Sequence, residues 1–181
     1  MTSGSQTVVV ADANVLINLI HVARLGFCAD LPGLSFMVPD HVRREITRTG
    51  QRSHLDGALD SGALQLCSIT HPEDVSLFTD LTVRLGRGEA ACLVLAKRHG
   101  WTVASDEKGR FRREALKRVG RHRLIGTPDL FMRAIQAGLV TVDEADADKE
   151  TLERKRFKMT FKSFREKLQE PAATRPGRST Q

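Results

Sequence analysis

The chain opens with an apolar run whose pattern changes at a single acid. Residues 8–10 are valines without polar alternation, which is typical of a central parallel strand buried on both faces. After Asp12, apolar residues recur at three- and four-residue spacing up to Leu25, and Gly26 follows as a helix stop. The pattern therefore predicts a strand that ends at an acid, followed by a helix over residues 14–25.

Strand-like and helical patterns alternate along the rest of the chain. Further strands are predicted at residues 35–38, 64–69, 101–105 and 123–125, and further helices are predicted to begin near residues 40, 54, 72, 89, 108, 127 and 143. In the helix that begins at Pro72, a three-residue spacing predicts that Val75, Phe78 and Leu81 face inward. The alternation predicts an α/β fold, a three-layer α/β/α arrangement with a central parallel sheet and right-handed crossovers.

The length of 181 residues suits one domain. We expect this domain to span residues 1–170, with a core at about 7–140 and a helical extension over 141–170. Four apolar residues of the extension are spaced for one side of a helix that packs on the body: Phe157, Phe161, Phe164 and Leu168. Residues 171–181 contain almost nothing apolar, so we expect a disordered basic tail there.

The net charge of +6 is concentrated near the C-terminus. Residues 149–181 hold 10 Lys and Arg against 4 Asp and Glu, whereas the rest of the chain is balanced at 18 of each. A second basic stretch follows Asp106 and includes Lys108, Arg110, Arg112 and Arg113. Such clusters suit phosphate backbones, so we expect these four residues to contact nucleic acid, with a solvated helix face as the alternative.

The cysteines and the apolar runs bear on the compartment. Cys28, Cys67 and Cys92 are odd in number and widely spaced, which favours reduced, inert thiols over a disulfide framework. The first seven residues lack a basic region, and no apolar run reaches the roughly 18 residues that a membrane span requires. We therefore expect a cytoplasmic protein that does not associate with a membrane.

Four acids stand where this fold can bring them together. Asp12 and Asp106 each follow a predicted strand, and the carboxyl ends of neighbouring parallel strands share the edge at which ligands bind. Glu45 and Glu89 lie in predicted helices that can approach this edge. Clustered carboxylates raise one another's pKa unless cations neutralise them, and oxygen-only ligation suits Mg²⁺ or Mn²⁺. The histidine and cysteine spacings do not fit zinc.

Each of these acids also has a purely structural interpretation. Asp12 or Asn14 can cap the helix that follows the first strand. Glu45 can be an ordinary surface glutamate in a charged helix, and Glu89 can stabilise the first turn of its own helix through the helix dipole. The local patterns leave both interpretations open.

The order and spacing of the acids resemble the PIN-domain ribonucleases, a family that includes the VapC-type toxins of bacterial toxin–antitoxin pairs. The resemblance covers roughly residues 7–140. It rests on four segments. Residues 9–16 look like the opening strand with its metal-binding Asp and following Asn, and residues 42–46 look like the segment of the second acid. Residues 85–91 look like the segment of the third acid, and residues 103–106 look like the strand that delivers the last acid. Glu89 stands where many members carry Asp, and Ser105 where Thr is common. Residues 126–139 are similar to a closing helix found in one uncharacterised branch.

The resemblance implies a divalent-metal-dependent endoribonuclease with Mg²⁺ or Mn²⁺ as its cofactor. The implied catalytic acids are Asp12, Glu45, Glu89 and Asp106. Asp12 would be the central metal ligand, with Glu89 and Asp106 completing the site, while Glu45 would orient or deprotonate water. Three further residues would hold a phosphate or the acids, with simple helix capping as the alternative: Asn14, Ser105 and Thr127.

The partners implied are an RNA substrate, an antitoxin protein if the chain is a toxin, and a second copy of the chain as a homodimer. Two other functions stay open. A phosphatase also places a strand-end Asp over Mg²⁺, although its usual second Asp two residues later is Asn14 here. A catalytically inactive RNA-binding or partner-binding module with a PIN-like fold would suit the basic C-terminal region equally well.

Overall fold

The computed structural model describes residues 6–170, and its five strands form one fully parallel sheet. The strands are β1 (Thr7–Ala11), β2 (Leu34–Pro39), β3 (Gln65–Cys67), β4 (Thr102–Ala104) and β5 (Leu124–Ile125). Their order in the sheet is β3-β2-β1-β4-β5, so β1 lies at the centre. The predicted central strand and parallel sheet are confirmed. The tail predicted over residues 171–181 lies outside the described residues.

The helices form two groups, one on each face of the sheet. They are α1 (Ala13–His21), α2 (Phe27–Asp30), α3 (Asp40–Glu45), α4 (Thr49–Asp60), α5 (Pro72–Thr82), α6 (Arg87–His99), α7 (Gly109–Arg118), α8 (Thr127–Gln136), α9 (Val142–Arg154) and α10 (Phe164–Gln169). Helices α5 and α7 contact α6, whereas α1, α8 and α9 contact one another. The crossovers through α1 and α6 run in opposite directions across the sheet, so right-handed connections place them on opposite faces. The three-layer prediction is confirmed.

The strand order reverses at β1, and this reversal positions the crevice of the fold. Residues 9–11 are completely buried, as the valine run predicted. The backbone N–H of Asp12 donates to the Ala104 carbonyl at 2.9 Å, so the ends of β1 and β4 are tied together. Ligands of open α/β sheets bind at such a point. Two neighbouring strands therefore deliver Asp12 and the segment 105–106 to one edge, where α3 contacts both α1 and α6.

The first helix ends earlier than its apolar pattern predicted. It stops at His21, because Ala23 takes a left-handed backbone conformation (φ 56°) and the Arg24 N–H donates to the Leu19 carbonyl at 2.8 Å. Gly26 is not the stop that was predicted, since it precedes the separate short helix α2. This conformation is unfavourable by about 1 kcal/mol for a residue other than glycine. An alanine is therefore not expected to end a helix in this way, and the apolar spacing did not reveal the turn.

The inward side of α5 differs from the predicted one by a single residue. Phe78 and Leu81 are buried as predicted, but Val75 is 50% exposed. Asp74 takes the inward place instead, and it accepts a hydrogen bond from Arg98 Nε of α6 at 2.7 Å. The prediction for Val75 is wrong because an ion pair between two helices, and not apolar spacing, sets the rotation of α5.

The cysteines are free thiols, as predicted. Cys28 and Cys92 are buried, Cys67 is half-buried, and burial raises the pKa of Cys28 and of Cys67 to about 12. None of these thiols is therefore reactive at neutral pH. No helix within residues 6–170 has the length and apolar character needed to cross a membrane.

The last part of the C-terminal extension, residues 157–168, packs through aromatic residues, but it is not the single helix that its spacing predicted. After α9 the backbone turns at Arg156 with φ 70°, and the chain becomes helical again only in α10. Phe164 is fully buried, and its ring centroid lies 5.4 Å from that of Phe131 and 5.0 Å from that of Phe161. Leu168 is 40% exposed, so the prediction that it faces the body is wrong.

We predict that Phe164→Ala lowers the free energy of unfolding by about 3–5 kcal/mol, because it leaves a cavity between α8 and α10. Urea denaturation measures the effect. Leu168→Ala, on the same helix but exposed, is the matched control and should cost less than about 1 kcal/mol. Equal losses for the two variants would show that α10 does not pack on α8 in solution.

Candidate active site

Asp12 has the capping role that was one of its two interpretations, and the cap does not use all of its carboxylate. Its side chain is buried at the end of β1, and Oδ1 accepts a hydrogen bond from the Ala13 N–H at 2.8 Å, which caps α1. Oδ2 accepts a hydrogen bond from Ser105 Oγ at 3.0 Å, so the residue that follows the neighbouring strand β4 holds the same carboxylate. Each oxygen has a second lone pair that no described hydrogen bond uses. The cap therefore leaves the carboxylate able to bind another group.

Burial makes a charge on Asp12 unfavourable. It raises the pKa of Asp12 from the ordinary 3.8 to about 7, and the hydrogen bonds from Ala13 and Ser105 only partly oppose this rise. The negative charges of Glu89 and Glu45 raise the pKa further by smaller amounts. The structure thus brings three of the predicted acids within electrostatic reach of one another.

Glu45 reaches the beginning of α6 from the end of α3. The Gly88 N–H donates to Glu45 Oε1 at 2.7 Å, and the positive end of the α6 dipole stabilises the carboxylate. A Cβ atom on Gly88 would lie 2.5 Å from Glu45 Oε2, so only glycine permits this approach. Glu45 is solvent-exposed, as the interpretation of a surface glutamate expected, but its hydrogen bond with Gly88 also ties it to the start of α6.

Glu89 lies in the first turn of the same helix. Its Oε2 accepts a hydrogen bond from the Gly86 N–H at 2.8 Å, so the structural role foreseen for this glutamate is real. Burial raises the pKa of Glu89, and the charges of Glu107 and Glu45 raise it further. We refer to Asp12, Glu45, Glu89 and Glu107 as the acidic cluster, since their charges act on one another.

Asp106 lies at the same edge, but its carboxylate is directed at α8. Oδ1 accepts a hydrogen bond from the Thr127 N–H at 2.8 Å, and Oδ2 accepts one from Thr127 Oγ1. A Cβ atom on Gly126 would lie 2.8 Å from Oδ1, so glycine is required here too. Burial raises the pKa of Asp106, and the hydrogen bonds from Thr127 lower it. Thr127 therefore holds Asp106, which is one of the two roles predicted for it.

Two functional residues were missed in the sequence. Asn18 is buried, and its Nδ2 donates to Asp106 Oδ2 at 3.0 Å, while Asn14 Oδ1 accepts the Asp106 N–H at 3.2 Å. The four-residue spacing of the two asparagines, one helical turn, was the available signal. Glu107 lies before α7, which begins at Gly109, and Glu107 Oε1 accepts a hydrogen bond from Asn14 Nδ2 at 2.9 Å.

The donor chemistry of this edge fits a hard divalent cation. The available groups are carboxylate oxygens. Asp12 is buried, Glu89 is half-buried, and the charge of Glu45 raises the pKa of both. Within residues 6–170, however, no three side chains of the His, Cys, Asp and Glu types already converge to hold a metal ion. The acids thus match the preference of Mg²⁺ or Mn²⁺, and water would complete the coordination, as is usual for Mg²⁺.

The comparison with protein families agrees with this arrangement. A family model, DUF3368, described as a PIN domain, matches residues 8–171. The chain belongs to the PIN-domain family. PIN domains are generally nucleases and typically use divalent metals. No curated protein matches the sequence at a significant level.

The family match is longer than the resemblance seen in the sequence. It continues beyond residue 140 through α9 and α10, so the C-terminal extension belongs to the pattern of this PIN-domain family. The extension contacts α1 through α9, and Arg24, which follows α1, lies with its Nε 2.7 Å from Asp148 Oδ2 of α9.

The basic residues of α7, and Lys108 just before it, divide between two surfaces of the PIN domain. Lys108 and Arg112 line a cavity of about 350 Å³ beside Asp106, together with Arg121 and Asp129. Two other basic residues are exposed and do not line this cavity: Arg110 and Arg113. Only part of the predicted basic stretch therefore borders the acidic edge.

We predict that Asp12 makes the stability of the metal-free protein fall as the pH rises. The folded state keeps the Asp12 proton up to about pH 7, whereas the unfolded state releases it near pH 3.8. The stability that the protonated Asp12 contributes is therefore lost progressively as the pH rises between those values. Above pH 8, the free energy of unfolding of Asp12→Asn should therefore be higher than that of the wild type by on the order of 4 kcal/mol. This difference should vanish near pH 4.

Urea denaturation in EDTA across this pH range measures the difference. Asp80→Asn, at an exposed position of α5, should follow the wild-type curve. A constant offset between Asp12→Asn and the wild type would contradict the raised pKa of Asp12.

Proposed function

We propose that this PIN domain is a divalent-metal-dependent endoribonuclease that hydrolyses RNA phosphodiester bonds. One observation carries the proposal: Asp12 is buried at the strand-order reversal, and its charge is opposed by the charges of Glu45 and Glu89. Such an arrangement destabilises the protein unless it serves to bind a cation.

The proposed metal ligands are Asp12, Glu89 and Asp106, with Mg²⁺ or Mn²⁺ as the cofactor. A bound divalent cation supplies Lewis acidity, which lowers the pKa of water and stabilises charge on phosphate oxygens. The protein fixes the orientation of two of these ligands, since Ser105 holds Asp12, and Thr127 holds Asp106. Glu107 is an additional candidate ligand because its charge acts on Glu89.

Glu45 is the proposed residue that orients water or accepts its proton. The Gly88 N–H fixes one carboxylate oxygen and leaves the other without a described hydrogen bond. Asn14 and Ser105 keep the loop after β4 in place, because they bind the backbone N–H groups of Asp106 and Glu107. The catalytic set in this proposal is Asp12, Glu45, Glu89 and Asp106.

The proposed RNA contacts lie on α7. Lys108 and Arg112 line the cavity next to Asp106, so a phosphate bound there would adjoin the acidic edge. Arg110 and Arg113 would contribute from the exposed surface of the same helix. The same activity would allow the chain to act as the toxin of a toxin–antitoxin pair, with an antitoxin protein as its partner.

The alternative is a catalytically inactive RNA-binding or partner-binding module. One observation favours it, namely that Thr127 and Asn18 occupy both carboxylate oxygens of Asp106. Measuring cleavage of an RNA pool in Mn²⁺ separates the two functions directly, since the module would bind the RNA and leave it intact.

We predict that Mn²⁺ or Mg²⁺ raises the melting temperature of the wild type by binding linkage, and that Asp12→Asn abolishes both this rise and RNA cleavage. The substitution removes the charge but keeps the shape of the side chain. Adding Asp106→Asn should lower activity little further, because the acids act as a unit. Asp80→Asn should retain both properties. Wild-type cleavage by Asp12→Asn in a nuclease-free preparation would refute the metal-site assignment.

We further predict that Lys108→Ala/Arg112→Ala weakens RNA binding more than Arg110→Ala/Arg113→Ala, which removes the same charge from the exposed surface. The slope of log affinity against log salt should fall by about 0.7 for each phosphate of a single strand that the variant no longer binds. Fluorescence anisotropy over a range of salt concentrations measures both quantities. Identical slopes for the two double variants would exclude the cavity as a specific part of the RNA path.

A further inference from the structure

A second cleft opens beside Glu45, and basic residues of three distant segments line it. Its volume is about 360 Å³, and its lining includes His21 of α1, Arg48 before α4, Gln51 of α4, and Lys155 after α9. We refer to this cleft as the basic groove. It is separate from the cavity at α7, and no sequence motif predicted it.

Arg48 differs from the other arginines around it. Arg43 and Arg52 both pair with Asp56, at 2.9 and 3.0 Å, and Arg44 pairs with Asp40 at 2.8 Å. No carboxylate of the described residues lies within salt-bridge distance of Arg48. Its charge is therefore available to a ligand.

Lys155, like Arg48, lacks a carboxylate partner among the described residues, whereas a neighbouring lysine on α9 has one. Lys149 is buried and pairs with Glu153 at 2.6 Å. The charges of Lys155 and Arg48 both lower the pKa of His21, after the larger effect of burial. The two cations therefore act on the same space, although they are far apart in the sequence.

The groove and the acidic cluster share one residue. Glu45 lines the groove, and its charge also raises the pKa of Asp12 and of Glu89. Cations at Lys108 and Arg112 border the acidic edge at Asp106. Basic surfaces thus adjoin both Glu45 and Asp106, as a chain of phosphates passing over the acids would require.

We propose that the basic groove binds the sugar-phosphate backbone of the RNA strand next to the cleavage site, with Arg48 and Lys155 contacting phosphate. Gln51, whose Nε2 lies 3.2 Å from His21 Nε2, holds the imidazole in the wall of the groove. This assignment rests on the proposed function, because it takes RNA as the polyanion. It gives the C-terminal extension a part in substrate binding.

The test is the binding of a fluorescein-labelled single-stranded RNA in EDTA, which prevents metal-dependent cleavage. Arg48→Ala/Lys155→Ala should weaken binding by roughly tenfold or more, as expected when two charge-assisted hydrogen bonds are removed. Its salt slope should fall by about 1.4, at 0.7 for each phosphate. Lys97→Ala/Lys167→Ala removes the same charge from positions outside the groove and should leave the slope unchanged. Unchanged affinity and slope in the groove variant would overturn the proposal.

A footprint on the wild-type protein gives a second measurement that needs no variant. RNA should protect Lys155 from acetylation, whereas Lys158, which is exposed three residues later and does not line the groove, should stay reactive. Equal protection or equal reactivity of the two lysines would overturn the assignment of Lys155.

The outcomes separate the groove from the nuclease activity. RNA binding that depends on Arg48 and Lys155, without cleavage in Mn²⁺, would refute the nuclease and support the groove. Cleavage by the wild type with unchanged binding by the groove variant would refute only the groove. A glutamate-rich peptide whose binding depends on these two cations, when RNA binding does not, would show a protein-partner site and overturn the RNA assignment.

Discussion

The burial of the Asp12 carboxylate at the end of the central strand is the constraint on which the site depends. Strands on both sides of β1 exclude water from this position, so a negative charge there is unfavourable. Two hydrogen bonds, from Ala13 and Ser105, compensate only in part, and the pKa of Asp12 stays near 7. Further acids nearby increase this electrostatic cost, which a bound cation would relieve. The fold therefore gives up stability at this edge, as proteins commonly do at functional sites.

The acids of this edge also satisfy helix N-termini. Glu45 and Glu89 accept hydrogen bonds from the first turn of α6 and its cap, and Asp106 does the same at the start of α8. Capping and function are thus not exclusive interpretations of one acid, because a carboxylate has lone pairs for both. The glycines at 88 and 126 belong to the same arrangement, since a Cβ atom would displace the carboxylate at either place.

Helix α1 connects the acidic edge to the C-terminal extension. Its first turn is capped by Asp12, one side carries Asn14 and Asn18 toward Asp106, and its last residue is His21 in the wall of the basic groove. The extension packs against this helix through α9. Docking of the extension therefore brings Lys155 to the groove, which explains how residues beyond the sheet can take part in the site.

The sequence by itself determined the layers of the fold and the edge at which the acids meet. Burial of a strand or a helix side produces a local pattern of apolar residues that is visible in the sequence, as in the uninterrupted valines of β1. The tertiary structure decided the direction of the Asp106 carboxylate and the entry of Glu107 into the acidic cluster. The bond from Asn18 to Asp106 spans 88 residues, and local spacing contains no information about such contacts. The pairing of Arg43 was decided in the same way, because Asp56 of α4 reaches Arg43 of α3 only once the two helices have packed.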